Sequence, residues 1–398
     1  MVLKQNIAKL KEFQKNAPNV EFVNKEANLD TLDDWYLFKD TDTETISFPK
    51  NLILYGPPGT GKTYHTVLYA VAIIEKKTLA EVAADPYEDV ISRYNQYQTD
   101  GFLTFTTFHQ SYGYEEFIEG IRPVLTNSTN VTAKTQTTTS EMAKAESEIQ
   151  HINSEIQYEI SSGIFKSFCD KAHREQSHAN NYVFIIDEIN RGNLSKIFGE
   201  LITLIEPTKR LGQIGGITVT LPYSKTPFGV PDNLYLIGTM NTADRSIALL
   251  DTALRRRFQF RELQPDPSVL NDVFVEDLSI KELFTRMNQK ISILFDREHT
   301  IGHAYFLPLK ENPTLETLAS TFRTTILPLL QEYFYEDYEK IRLVLGDNKK
   351  TKECDQFIIK KGVDYADLFG STDFEIDDSF SYQFNIDAFT HIDAYRSI

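Results

Sequence analysis

The stretch Gly56-Pro57-Pro58-Gly59-Thr60-Gly61-Lys62-Thr63 decides the fold. It has the full form G-x-x-x-x-G-K-[ST] of a phosphate-binding loop. Its glycines let the backbone curl so that successive N–H groups converge on one anion. A helix starting there adds its positive N-terminal end. Lys62 can then reach the β- and γ-phosphates, and the Thr63 hydroxyl can ligate Mg²⁺. The flanks agree. Residues 51–55 (NLILY) are an apolar run of buried-strand type, and Val67, Leu68, Val71 and Ile74 recur at helical spacing over 64–74. An incidental Gly/Pro turn has no reason to carry both flanks.

A second apolar run, Tyr182-Val-Phe-Ile-Ile-Asp-Glu188, ends in two carboxylates. In a parallel sheet such a strand delivers its end to the edge where ligands bind. Asp187 is predicted to hold Mg²⁺ and Glu188 to polarise the attacking water. The bland alternative, an acidic pair starting the next helix, loses ground beside a phosphate loop. A third strand, 234–238, runs into Gly238-Thr-Met-Asn-Thr-Ala-Asp-Arg-Ser246. Asn241 is placed to orient the water, and Asp244 with Arg245 to shape the loop; the alternative is a capped turn. Arg255-Arg256-Arg257 then precede an aromatic strand containing Phe258 and Phe260. This cluster reads as an arginine finger for a neighbouring subunit's nucleotide, or as a basic helix terminus.

Composition sets the limits. The chain has 398 residues, enough for two or three domains, with 41% hydrophobic and 25% charged residues. The formal net charge of −16 disfavours autonomous, non-specific DNA binding, which rewards clustered Lys and Arg. Cys169 and Cys354 form no metal-type spacing and suit a reducing cytoplasm. No apolar run approaches the roughly 20 residues needed to span a bilayer, and the N-terminus lacks the apolar core of a secretion signal. Residues 1–46 are expected to be a short N-terminal extension, with Ile7, Leu10 and Phe13 on one helical face. A strand is predicted at 102–108, an exposed Thr-rich loop at 126–140, and a polar helix at 141–160 with Ile149, Ile152, Ile156 and Ile160 on one side. Residues 213–222 read as a hairpin arm. Beyond 263 the pattern turns helical near 279–295, 314–339 and 363–369.

These motifs together resemble the McrB family of AAA+ proteins, the motor subunits of McrBC restriction systems. The resemblance is carried by GPPGTGKT (56–63), IIDEINRGNLSKIFGEL (185–201), GTMNTADRS (238–246) and ALRRRF (253–258), and it covers 47–398. Supporting blocks are TFHQSYGYEEFIEGIRP (107–123), IGHAYF (301–306) and LLQEYFYEDYEKIRLVLGD (329–347). The resemblance implies an α/β fold of the ASCE phosphate-loop type: an AAA+ parallel-sheet domain over 47–262, interrupted by an insertion at about 126–160, then a helical lid and C-terminal region over 263–398. It implies a hexameric ring, Mg²⁺, GTP favoured over ATP as substrate, and a McrC-like nuclease partner, with DNA reached through that partner and no membrane. Carried over, Gly56, Pro57, Pro58, Gly59, Thr60, Gly61, Lys62 and Thr63 bind nucleotide, with Thr63 and Asp187 at the metal. Glu188 and Asn241 act on the water, Asp244 belongs to the signature loop, and Arg256 and Arg257 match the finger region. Asn190 and Arg191 are candidates for contact with a neighbour or partner. The family usually carries a methylated-DNA-reading domain ahead of the motor; only 46 residues stand there in this sequence, so recognition of modified DNA by these residues is not expected. Tyr112, Tyr114 and Phe117 stand either in a pore-facing loop or beneath the sheet, and His303 is a candidate lid residue near the phosphates. A MoxR-type protein-remodelling chaperone is the alternative function.

Overall fold

The computed structural model describes residues 47–127, 154–175, 180–244, 252–363, 370 and 380–398. The expectations for 1–46, for most of 126–153, for Arg245 and for 364–369 lie outside the described residues. Five parallel strands form the central sheet: β1 (Asn51–Gly56), β2 (Leu103–Thr107), β3 (Tyr182–Asp187), β4 (Leu234–Asn241) and β5 (Gln259–Glu262), in the order β2-β3-β4-β1-β5. The three central strands are continuous apolar runs because both of their faces are covered. Alternate residues serve opposite cores. Ile53, Phe184 and Leu236 pack with Phe117, Phe165 and Phe198 on one side, while Leu52, Leu54, Val183, Ile185 and Ile237 meet Tyr69, Ala70 and Ile73 on the other. The edge strands β2 and β5 alternate between more and less covered positions, as half-buried strands do.

Helix α1 (Lys62–Glu75) follows the glycine loop and buries Thr66 to Ile73; it stops at Lys76, which turns left-handed. Helix α2 (Tyr87–Asp100) ends at Gly101, also left-handed. Helix α3 (Ile164–Arg174) lays Phe165, Phe168, Cys169 and Ala172 against the sheet. A second core lies beyond the sheet. There α4 (Ile280–Leu294), capped by Ser279, packs with helical segments over 315–333 and 338–344 around Phe284, Phe306, Phe322, Phe357 and Tyr395.

Four expectations need correction. Residues 154–162 are a strand, paired antiparallel with Glu119–Asn127, and not the end of a helix. Spacing i, i+4 satisfies both periods, so Ile156 and Ile160 share a face in either form; Tyr158 between them shows that the true period is 2. The same pairing takes residues 126 and 127 out of the expected loop. The helix expected over 314–339 ends at Tyr333. Tyr335 and Glu336 take positive φ before a new helix starts at Tyr338. The first part also contains a π turn at Phe322–Ile326, just ahead of Pro328, whose missing N–H breaks the α ladder. The C-terminal region is not all helical: Ile358–Gly362 pairs antiparallel with Phe380–Phe384. The arm read at 213–222 is a short hairpin, Val219–Thr220 against Pro227–Phe228.

Candidate active site

The site is built where three strands end side by side. Gly56 of β1 pairs with Asn241 of β4, and Ile186 of β3 with Gly238 of β4. Register alone therefore brings the phosphate loop, Asp187-Glu188 and Asn241 to one sheet edge, the edge where ligands bind in open parallel sheets. Gly59 and Gly61 take φ of +75° and +81°, a region open to glycine at no steric cost. Among the described residues, no hydrogen bond is made by the N–H groups of Gly59, Thr60 or Gly61. They form an anion cradle at the start of a long helix. Thr60 is buried and tied to Pro57 O at 2.9 Å, which holds the loop's shape, whereas Thr63 is exposed in the first turn of α1.

Lys62 lies over the loop. Its Nζ donates to Gly56 O at 2.9 Å and Pro57 O at 2.7 Å. Burial pushes its pKa down to about 8, against the pull of Glu188, Asp187 and Asp244. Asp187 accepts from the Thr239 hydroxyl, and that oxygen also receives the Glu188 N–H at 3.1 Å. Thr239 thus fixes both acidic residues at once. Glu188 itself is left-handed, φ 51° and ψ 47°, a conformation that costs a non-glycine residue energy. Burial raises the pKa of its carboxyl, opposed by Arg191. Arg191 stands 3.3 Å from Glu188 and 2.8 Å from Asp244. Asp244 therefore pairs with Arg191, while the expected partner Arg245 lies outside the described residues. Asn190 is buried and donates to Asn241 O at 3.2 Å. The side-chain oxygens of Asn190 and Asn241 are buried without a hydrogen-bond partner among the described residues. Such orphaned acceptors need a donor, which a water positioned for attack would supply. The donor set fits a Mg²⁺-nucleotide: hard oxygens from Thr63 and Asp187 suit Mg²⁺, and the cradle with Lys62 suits phosphate.

A contribution less visible in the sequence comes from Ile301–Phe306. Gly302 N donates to Pro58 O at 3.1 Å, and Ala304 N to Gly59 O at 3.0 Å. A Cβ on Gly302 would stand 2.0 Å from the Gly59 carbonyl carbon, and one on Gly59 would meet the Tyr305 ring at 2.7 Å. The lid segment thus rests on the loop backbone itself. His303 lies beside the loop, with Nε2 3.7 Å from where a Cβ on Gly61 would be. Its Nδ1 accepts from Asp266 N at 3.1 Å and burial lowers its pKa, so a neutral ring turns an N–H toward the loop.

The other candidates sit elsewhere. Phe117 is fully buried and stacks on Phe165; it belongs beneath the sheet. Tyr112 and Tyr114 are half-buried against the same cluster, and the Tyr114 hydroxyl donates to Glu200 at 2.9 Å. Arg255–Arg257 stand before the first residue of β5, whose Gln259 pairs with Leu52 at the start of β1. This is the sheet edge opposite the phosphate loop. Arg257 is half-buried, 3.7 Å from Glu206, and its carbonyl accepts from Asn51 at 2.8 Å. Arg256 is exposed.

Fold and site define a phosphate-loop nucleoside triphosphatase of the AAA+ class. Residues 51–258 match the family model for the AAA domain of the dynein-related subfamily, and 279–342 match that for the McrB alpha-helical lid domain. The chain is similar to the type IV methyl-directed restriction enzyme EcoKMcrB subunit of Escherichia coli (strain K12), with 36% identity over 347 residues, 80% of this chain and 63% of the relative. It is also similar to the type II restriction enzyme BsuMI component YdiS of Bacillus subtilis (strain 168), with 26% identity over 227 residues, 55% of this chain and 58% of the relative. The chain thus spans about three-fifths of the length of each. It belongs to the McrB family of AAA+ proteins.

Proposed function

We propose that this chain is the nucleotide-hydrolysing motor of a restriction complex, with GTP as its preferred substrate and ATP second. The observation that carries the reading is the convergence of Lys62, Asp187, Glu188 and Asn241 at one sheet edge, with Thr239 holding both acids in place. Lys62 and the loop N–H groups bind the phosphates. Thr63 and Asp187 hold Mg²⁺, which when bound neutralises charge on the phosphate oxygens. Glu188 and Asn241 orient the water for in-line attack. Arg191 ties Glu188 to Asp244, keeping the carboxylate in position. A neighbour's arginine from the 255–257 cluster completes the charge stabilisation, so the working form is a ring, read here as a hexamer. The partner is a McrC-like nuclease, and DNA is reached through it, in keeping with the net charge of −16.

Both relatives are named as restriction-enzyme components, which favours this reading over a MoxR-type remodeller. The test is steady-state hydrolysis of GTP and ATP by the purified chain, with Mg²⁺ and with excess chelator, alongside sedimentation with a non-hydrolysable analogue. Mg²⁺-dependent turnover, faster with GTP, and a nucleotide-dependent ring-sized species are expected. A strict monomer with full activity would remove the trans arginine.

A further inference from the structure

We propose a second metal site, for Zn²⁺ or a similar borderline-soft divalent ion, formed by Cys354, Asp355 and His391 in the C-terminal region. Cys354 and Asp355 share one tight turn, Glu353–Asp355. His391 precedes the helix Ile392–Arg396, on the far side of the strand Phe380–Phe384. Sequence spacing therefore hides the group, and the fold assembles it.

The distances fit a tetrahedral ion. Asp355 Oδ1 lies 3.7 Å from Cys354 Sγ and 3.5 Å from His391 Nδ1. With metal–ligand bonds of about 2.0–2.1 Å to N or O and about 2.3 Å to S, tetrahedral edges are about 3.4 Å for N–O and about 3.5 Å for S–O. All three ligand atoms fall within 4.8 Å of one another, so only the exposed thiol has to swing inward. The backbone is already held. Asn385 donates to the carbonyls of Glu353 at 3.0 Å and Cys354 at 3.4 Å. His391 N donates to Ala388 O at 3.2 Å and Ala394 N to His391 O at 3.1 Å.

The chemistry selects the ion. Thiolate, carboxylate and neutral imidazole offer S, O and N with two negative charges, a set for Zn²⁺ and against Mg²⁺. The nucleotide site, built of hard oxygens, has the opposite preference. Binding releases the thiol proton to solvent. Three protein ligands leave the fourth position to water or to a group from a partner. The ion would pin the Glu353–Asp355 turn to the start of the C-terminal helix.

The test uses Co²⁺ as the probe, added to the reduced full chain without nucleotide. A sulfur-to-cobalt charge-transfer band with tetrahedral d–d bands is expected, saturating at one equivalent and displaced by Zn²⁺. Cys354→Ser should abolish the charge-transfer band. His391→Ala should weaken Co²⁺ binding about tenfold or more, since even residues behind the ligands cost 10–100-fold. Zn²⁺ should raise the thermal midpoint of the wild type and leave that of Cys354→Ser unmoved, while both unfold alike in chelator. No charge-transfer band, or a band that survives Cys354→Ser, overturns the proposal. The three residues would then form an S–H···O hydrogen bond and a surface ion pair only.

Discussion

Raising the pH from 7 to 9 should weaken nucleotide binding about tenfold, and the cause should be Lys62 alone. Burial brings this lysine down to about 8 in the free protein. Its ammonium is then about nine-tenths protonated at pH 7 and about one-tenth at pH 9. Bound phosphates are anions and hold the proton on, so the complex keeps Lys62 charged. The apparent Kd therefore follows the charged fraction of the free protein, and affinity falls as pH rises. Tenfold corresponds to about 1.4 kcal/mol. The window is clean on its acid side. A terminal phosphate group loses its second proton with a pKa near 6 and is about nine-tenths ionised by pH 7, and burial lowers both His65 and His303, so their rings stay neutral throughout. The assay is a titration with a fluorescent, non-hydrolysable guanine nucleotide at pH 7, 8 and 9 and fixed Mg²⁺. Lys62→Arg supplies the control. Its guanidinium cannot be deprotonated, so its affinity should be lower at pH 7, where the fork fits the loop poorly, and flat across the range. A wild-type Kd constant to within about twofold would refute the argument, because Lys62 would then be either uncoupled from the phosphates or fully charged throughout.

Glu188→Gln should cut turnover by about 10²–10⁴, the usual worth of a positioned acid–base group, while nucleotide affinity holds or improves because one negative charge leaves the site. Near-normal steady-state hydrolysis would take Glu188 out of the reaction. Gly302→Ala drives a Cβ into the Gly59 carbonyl; it should cost about 1–3 kcal/mol as overpacking against backbone and weaken nucleotide binding, both readable by thermal denaturation with and without nucleotide. Unchanged affinity would mean that the lid contact does not shape the loop. Arg256→Ala should lower turnover by about 10³ or more, as loss of an arginine finger does, and leave affinity unchanged. Mixing it with Glu188→Gln should restore part of the activity, since some interfaces then join an intact site to an intact finger; a mixture no better than its parts argues against action in trans.

The three central strands of the sheet were legible because they are apolar on both faces and end in chemistry-bearing residues. The eight-residue loop, the Asp187-Glu188 strand end and Asn241 each had a local signal, and parallel register then brings those ends together. The lid contact was harder to read. Gly302 and Tyr305 touch the loop through backbone hydrogen bonds and a ring face, contacts that leave no periodicity in the sequence. Thr239 looked like part of a signature and proved to be the hydroxyl that joins Asp187 to Glu188. The strand at 154–162 was misread because isoleucines four apart fit a helix and a strand equally. Cys354 and His391 carried no signal at all, since only the tertiary fold makes them neighbours.

The placement of Arg256 also bears on how copies of the chain would associate. The cluster stands at the start of β5, beside Asn51, whereas the loop begins at Gly56. Five residues of strand between them span about 16 Å at ~3.3 Å per residue, further than an arginine side chain reaches. On the reading proposed above, the finger edge and the site edge are therefore separate surfaces that face opposite ways along the sheet. A contact that joins one such edge to the other is heterologous, because each copy offers a different patch to each of its two neighbours. Heterologous contacts leave one unsatisfied edge at every open end. Only a closed ring gives every nucleotide its arginine, which is why turnover should rise with assembly and not merely with nucleotide occupancy.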